Sequence, residues 1–202
     1  MKKIRVHIDV EASGPIPGDY SMLSFGACLS DNPKRNFYVE LAPISGNYVL
    51  AAMRIGCLWL ESIDRSQPQF NVQNEQFDPV ETLTELTLKA AAPLVAMQRL
   101  HKWLLKIGGS NPNRQLEFWS DNPSFDGMFL YWYWHHYLSE PDFLGHNIHS
   151  TADVFKGYMG STDVSYRSIQ VFDNLREHHA GDDAIKDALK FTVLRQLLSG
   201  NV

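Results

Sequence analysis

Only two cysteines, Cys28 and Cys57, occur in 202 residues. Neither belongs to a paired motif, which argues against a thiolate metal cluster and against a disulfide framework. Both read as buried free thiols of a cytoplasmic protein. No apolar run approaches the roughly eighteen residues that a membrane span requires. The first six residues lead straight into an alternating polar and apolar pattern, not into a signal peptide. Positive charge is not in excess: 18 Lys and Arg against 23 Asp and Glu give a net charge of −5. Broad electrostatic adhesion to DNA or RNA is thereby disfavoured, although cations bound in an acidic site would reverse the field locally. Repeats and low-complexity tracts are missing too. The length and the 44% hydrophobic content suit a single domain, residues 1–202, with its own core.

What is there is periodic. Ile4, Val6, Ile8 and Val10 alternate with Lys3, Arg5, His7 and Asp9, which predicts a strand over residues 3–10. Gly14, Pro15, Pro17 and Gly18 mark a loop. An apolar run at 22–29 and a segment at 36–41, joined by a turn at 31–33, complete an expected antiparallel meander. Residues 80–107 predict helix, split by Pro93, with Leu94, Met97, Leu100, Leu104 and Ile107 on one face. The Gln-, Asn- and Asp-rich segment 62–78 reads as a long exposed loop. A fourth strand is expected at 116–120 and a helix from Pro123 through Tyr137, proline being favoured in a first turn. A short fifth strand around 148–153 and two helices, 166–176 and 182–198, close the chain. The fold class is α/β, layers of helix around one sheet.

Carboxylates carry the chemical signal. Asp9 and Glu11 end the first strand two residues apart, so the strand period puts both on one face. There they can share a hard cation such as Mg²⁺, although such a pair alone is more often a solvated strand end. Asp126 follows Asp121-Asn122-Pro123, where Asp121 or Asn122 has a sufficient reason to exist as a helix cap. If the first and fourth strands are parallel neighbours, their carboxyl ends open on one crevice. His178 and His179 precede Asp182 and Asp183 at a helix start. The bland account makes Asp182 a cap and both histidines exposed.

The ordered set Ile8-Asp9-Val10-Glu11, Asn122-Pro123-Ser124-Phe125-Asp126 and His178-His179-Ala180-Gly181-Asp182-Asp183-Ala184 resembles the three exonuclease motifs of the DEDDh superfamily. That superfamily includes proofreading exonuclease subunits, oligoribonuclease and ribonuclease T. The resemblance runs from Ile4 to about Leu198 and takes in the segment 21–27. Gly181 departs from it, standing where a larger apolar residue is common, and residues 61–92 match nothing.

The resemblance implies a ribonuclease H-like fold, a mixed five-stranded sheet flanked by helices. It implies that Asp9, Glu11, Asp126 and Asp183 hold two divalent metal ions, Mg²⁺ or Mn²⁺, with His178 as general base. The implied reaction is 3′–5′ exonucleolytic hydrolysis of RNA or single-stranded DNA to nucleoside 5′-monophosphates, acting on 3′ ends. The chemistry is coherent: cations about 3.5–4 Å apart can offset the charge of attacking and leaving oxygens, and an imidazole of ordinary pKa near 6.5 suits proton removal. The alternative is a catalytically inactive nucleic-acid-binding or assembly module with the same fold, which has no chemical need for all five groups.

Other features stay bland. His135 and His136 diverge on a helix, and His146 and His149 lack an acid partner. The aromatic stretch from Phe129 to Tyr137 reads as core or as the face of a homodimer. The segment 53–60, with Gly56 and Trp59, could wall a site for a terminal base, but buried aromatics are commoner without any ligand, which is the plainer reading.

Overall fold

The computed structural model describes residues 2–109, 111, 113–138, 144–145, 147–171 and 174–200. Strands β1 (Lys2–Ala12), β2 (Met22–Leu29), β3 (Asn32–Glu40), β4 (Arg114–Ser120) and β5 (Ile148–Ser150) form one sheet in the order β3-β2-β1-β4-β5. The first three strands pair antiparallel, as the short turns dictate, whereas β1–β4 and β4–β5 are parallel. β1 therefore lies at the centre, buried on both faces. Its even positions Val6, Ile8 and Val10 enter a core shared with α3 (Pro93–Leu104) and α4 (Pro123–Tyr137). Its odd positions His7, Asp9 and Glu11 face the other way, toward α6 (Ala180–Leu198), with which β1, β2 and β3 are in contact.

Both ends of α4 fall where the sequence places them. Its aromatics are core: Phe129, Leu130, Tyr133 and Trp134 are fully buried. The Tyr133 hydroxyl oxygen accepts from the Met22 amide at 2.8 Å, tying α4 to β2. The core reading of these aromatics holds, with Tyr131, Trp132 and Tyr137 half-buried at its edge. His135 and His136 are exposed, as is His149, which stacks on Trp119 at 4.6 Å; His146 lies outside the described residues. Cys28 and Cys57 are free and buried, and burial pushes both thiols up. Among the described residues no helix is long and apolar enough to cross a membrane.

Four expectations need correction. Leu94 is 45% exposed, and Ala96 joins Met97, Leu100 and Leu104 inside instead, because the helix turns its first residues outward. Segment 62–78 is a loop with one short turn at Pro68–Phe70, but it is not exposed throughout. Its Ile63, Phe70, Val72 and Phe77 build a second core with Met53 of α1 (Leu50–Gly56), Leu23 of β2, and Leu83 and Leu86 of α2 (Pro79–Lys89). Strand β5 stops at Ser150, whose hydroxyl accepts from the Asp153 amide and so starts helix α5 (Thr151–Met159). Finally, no helix spans 166–176: a single turn at Tyr166–Ser168 is followed by non-helical chain in the described part, with Tyr166 and Ile169 anchored against Phe155 and Phe191.

Candidate active site

The carboxyl ends of β1 and β4 open on a cleft of about 640 Å³, and the sequence-predicted acids line it. β1 contributes Asp9 and Glu11. β4 ends at Ser120, and α4 begins three residues later, which brings Asp126 in its first turn back over the strand ends. Asp126 is fixed from both sides, accepting from the Val10 amide at 3.1 Å and from the Ser120 hydroxyl. From the third face α6 presents Asp183, five residues after His178, with which the motif begins.

Ligand atoms of Glu11, His178 and Asp183 lie within 4.8 Å of one another, and so do those of Asp9, Asp121 and Asp126. The five residues named from the sequence thus meet, and Asp121 joins them. Sequence reasoning left Asp121 as a cap. The cap position belongs to Asn122, whose side chain makes no capping bond, so Asp121 is left to face the cleft. Its place directly after β4, at a strand's carboxyl end, was the available signal.

So many acids in one space resist ionising together. Burial first, then repulsion by Asp126, Glu11 and Asp183, holds the Asp9 carboxyl far above the usual range. Burial and then Asp183 push Glu11 up to about 8. Burial raises Asp126 as well, although the Ser120 hydroxyl pulls it back. Asp183 is pushed up to about 6, chiefly by burial and against the His178 amide that it accepts. One oxygen of Asp9, Oδ2, is buried without any hydrogen-bond partner. An all-oxygen set with an orphaned buried donor atom fits a hard divalent cation.

His178 owes its place to a left-handed backbone, φ +64°, the only such non-glycine residue among those described. That turn points its amide at Asp183 Oδ2, 2.7 Å away, and its ring nitrogen Nδ1 toward Glu11 Oε1, 4.0 Å away. His179 behaves differently and is not the exposed residue expected. It is 4% exposed, its Nδ1 accepts from the Asp182 amide at 3.1 Å as the N-cap of α6, and it stacks on Tyr38 at 4.3 Å. Asp182 is no cap; it receives Arg176 Nε at 2.7 Å.

No family model matches the sequence. The 3′–5′ DNA exonuclease Cap18 of Escherichia coli is 32% identical over 191 residues, covering 93% of this chain and 87% of that protein. The chain belongs to the DEDDh 3′–5′ exonuclease superfamily. Solved structures agree on the fold. The nuclease domain of 3′hExo, a DEDDh family member bound to rAMP, superposes with a TM-score of 0.62 at 14% identity, over 98% of this chain and 92% of that one. Cell-death related nuclease 4 gives 0.61 at 14% identity, over 98% and 65%. Zinc-bound exonuclease I of E. coli with single-stranded DNA gives 0.62 at 11%; this chain spans 99% of itself but 42% of that protein. The sheet flanked by helices is thus the ribonuclease H-like exonuclease fold.

In this exonuclease the departure at Gly181 has a steric cause. A Cβ there would come within 3.2 Å of Tyr38 and 3.1 Å of His179, in the middle of their stack. Gly26 of β2 is needed for the same approach: its Cβ would overlap the Ala180 carbonyl, so only glycine lets the start of α6 settle on the sheet.

Below the acids lies a polar network that sequence reasoning missed. His7 Nδ1 meets Asp187 Oδ2 at 2.6 Å, Thr151 Oγ1 donates to Asp187 Oδ1 at 2.8 Å, and the same hydroxyl lies 3.1 Å from the Ser120 carbonyl. His7 and Thr151 are fully buried. The network joins β1 and α6, which carry Asp9, Glu11 and Asp183, to the end of β4 and the start of α5. One signal was legible: His7 shares a strand face with Asp9 and Glu11. The loop before α6 is fastened elsewhere. Trp59 Nε1 donates to the Glu177 carbonyl at 2.7 Å while Arg65 covers the Trp59 ring at 4.6 Å. Trp59 is thus a staple for that loop and is not among the residues lining the cleft, in keeping with the plainer reading of the segment 53–60.

Proposed function

We propose that this exonuclease hydrolyses the 3′-terminal phosphodiester of a single-stranded nucleic acid, RNA or DNA, and releases nucleoside 5′-monophosphates. DNA is the first substrate to examine, since the relative with 32% identity is a DNA exonuclease. Asp9, Glu11, Asp126 and Asp183 would hold two divalent cations, Mg²⁺ or Mn²⁺, and Asp121 stands beside Asp9 and Asp126 as a further oxygen donor. Bound there, the cations supply charge neutralisation for the phosphate and acidity for the attacking water. The observation that carries the reading is the convergence of Glu11, His178 and Asp183, from residues far apart in sequence, within 4.8 Å.

The chain's own groups do the rest. His178 takes the proton from the attacking water, its ring held over the acids by the left-handed turn and by its amide bond to Asp183. Glu11, whose carboxyl lies 4.0 Å from that ring, stabilises the imidazolium that forms. Asp126 is kept immobile by Ser120 and Val10, so the acids need little rearrangement when substrate enters.

The test uses purified protein with 5′-labelled DNA and RNA oligonucleotides, in Mg²⁺, in Mn²⁺ and in chelator. A ladder shortening by one nucleotide from the 3′ end, lost in chelator and in Asp126→Asn, is the expected result. Internal cuts, or a ladder that survives Asp126→Asn, would overturn it.

A further inference from the structure

Although the chain carries a net charge of −5, one wall of the catalytic cleft is cationic. Lys186 and Lys190 stand one turn apart on α6, on the stripe that begins with Asp183, and Arg167 faces them from the turn Tyr166–Ser168; all three line the cleft. Some cations elsewhere are matched with acids, Lys3 to Glu117 at 2.7 Å, Arg176 to Asp182 at 2.7 Å and Arg195 to Asp31 at 3.3 Å, whereas what sets Arg167, Lys186 and Lys190 apart is that they share one wall of the cleft. Among the described residues Arg167, Lys186 and Lys190 have no ion pair within 4.0 Å. Lys190 is placed by another means, its ammonium 5.4 Å above the Tyr166 ring.

These cations could serve only to soften the acidic cluster. Burial raises Asp121, and Lys190 and Arg167 partly oppose that rise. Softening of this kind is best done in contact, and none of the three makes contact. Arg167 also reaches into a second hollow of about 380 Å³ with Lys156, Thr162 and Ser165, which adjoins the cleft through Asp121 and Tyr166. Arg167 thus stands where the two hollows meet, with the Thr162 and Ser165 hydroxyls beyond it; Asp163 also lines the second hollow, and Lys156 is paired with Asp153 at 3.8 Å, so the positive charge is concentrated on the cleft wall itself.

We propose that Arg167, Lys186 and Lys190 form a track for backbone phosphates of the substrate strand, on the 5′ side of the bond that is cut. It rests on the hydrolytic reading above and adds what the strand must be: a chain of several phosphates, recognised by charge and not by base. Phosphate contacts of this kind position a strand without reading its sequence. Each contact to a single strand contributes about 0.7 to the slope of log affinity against log salt.

The test compares wild-type protein with the triple variant Arg167→Gln, Lys186→Gln, Lys190→Gln, on a twelve-residue oligothymidylate and on the dinucleotide dTpdT, whose one phosphate is the scissile one. For the long strand, KM is expected to rise at least tenfold and the salt slope of binding to fall by about 2; the rise for dTpdT is expected to be several-fold smaller. Lys34→Gln with Arg35→Gln, at the opposite end of the sheet, removes exposed charge without altering either value. Unchanged KM for the long strand, or equal losses on both substrates, would overturn the track. Melting temperatures exclude misfolding as the cause. Wild-type protein that binds the long strand with the full salt slope, yet never cuts it, would refute the hydrolytic reading and support the track.

Discussion

At His178 the left-handed backbone costs a non-glycine residue on the order of 1 kcal/mol, and it is retained because the turn aims both the amide and the ring. Asparagine tolerates the same conformation, so His178→Asn removes the imidazole with the least disturbance. A loss of about 10²–10⁴-fold in the single-turnover rate is expected, the range for a general base, while binding of Mn²⁺ followed by calorimetry persists. His179→Ala should act differently. Losing an N-cap costs about 1 kcal/mol, and here the Tyr38 stack goes with it. A lower melting temperature with a milder loss of rate is expected, and a variant as stable as the parent would refute the capping role. The acids were legible as residues because strand alternation and motif spacing are local. The burial of His179 was not, because Tyr38, which covers it, comes from a different strand far away in sequence.

At the scale of elements, α6 lies along β1 in a fixed register: Asp183 beside Glu11, Asp187 beside His7, Phe191 5.3 Å from the His7 ring. The hydroxyl of Thr151 brings the start of α5 into the same arrangement. Thr151→Val keeps the shape and removes one donor, leaving Asp187 under-satisfied, which costs about 1–3 kcal/mol when buried. If the network only stabilises, melting temperature falls and kcat stays. If it also sets the spacing of the acids, kcat falls with KM nearly constant, and Thr151→Ser restores it; this second outcome is the one expected. A continuous apolar run made β2 readable, helical periodicity α3, and a helix-opening proline α4, with α4 placed to the residue. Elements defined by distant partners were not readable. Ile63, Phe70, Val72 and Phe77 follow no period and are buried only because α1 and α2 enclose them. The expected helix after Tyr166 gives way to a chain pinned by Tyr166 and Ile169 in the third core.

For the whole molecule, the crowded carboxylates make stability depend on pH and on cations together. Glu11, at about 8, and Asp183, at about 6, lie above their unfolded values near 4. The folded state therefore binds more protons than the unfolded one, and cation-free protein loses stability as pH rises from about 4 to 8. Mg²⁺ acts in opposition, since a ligand of the folded state stabilises it. Differential scanning calorimetry should show the melting temperature in chelator falling between pH 5 and pH 8, with the rise on adding Mg²⁺ larger at pH 8. A cation effect of equal size at both values, or none, would contradict an acidic cation site. The register of α6 on β1 also has a consequence in time. His7 and Asp187 are separated by 180 positions, and the centre itself joins Asp9 and Glu11 to His178 and Asp183. Contacts of such long range form late, because the intervening chain must first be gathered in. On the proposed assignment, a nascent chain with α6 still unmade holds Asp9, Glu11 and Asp126 but lacks Asp183, and it is expected to stay inert until α6 docks on the sheet.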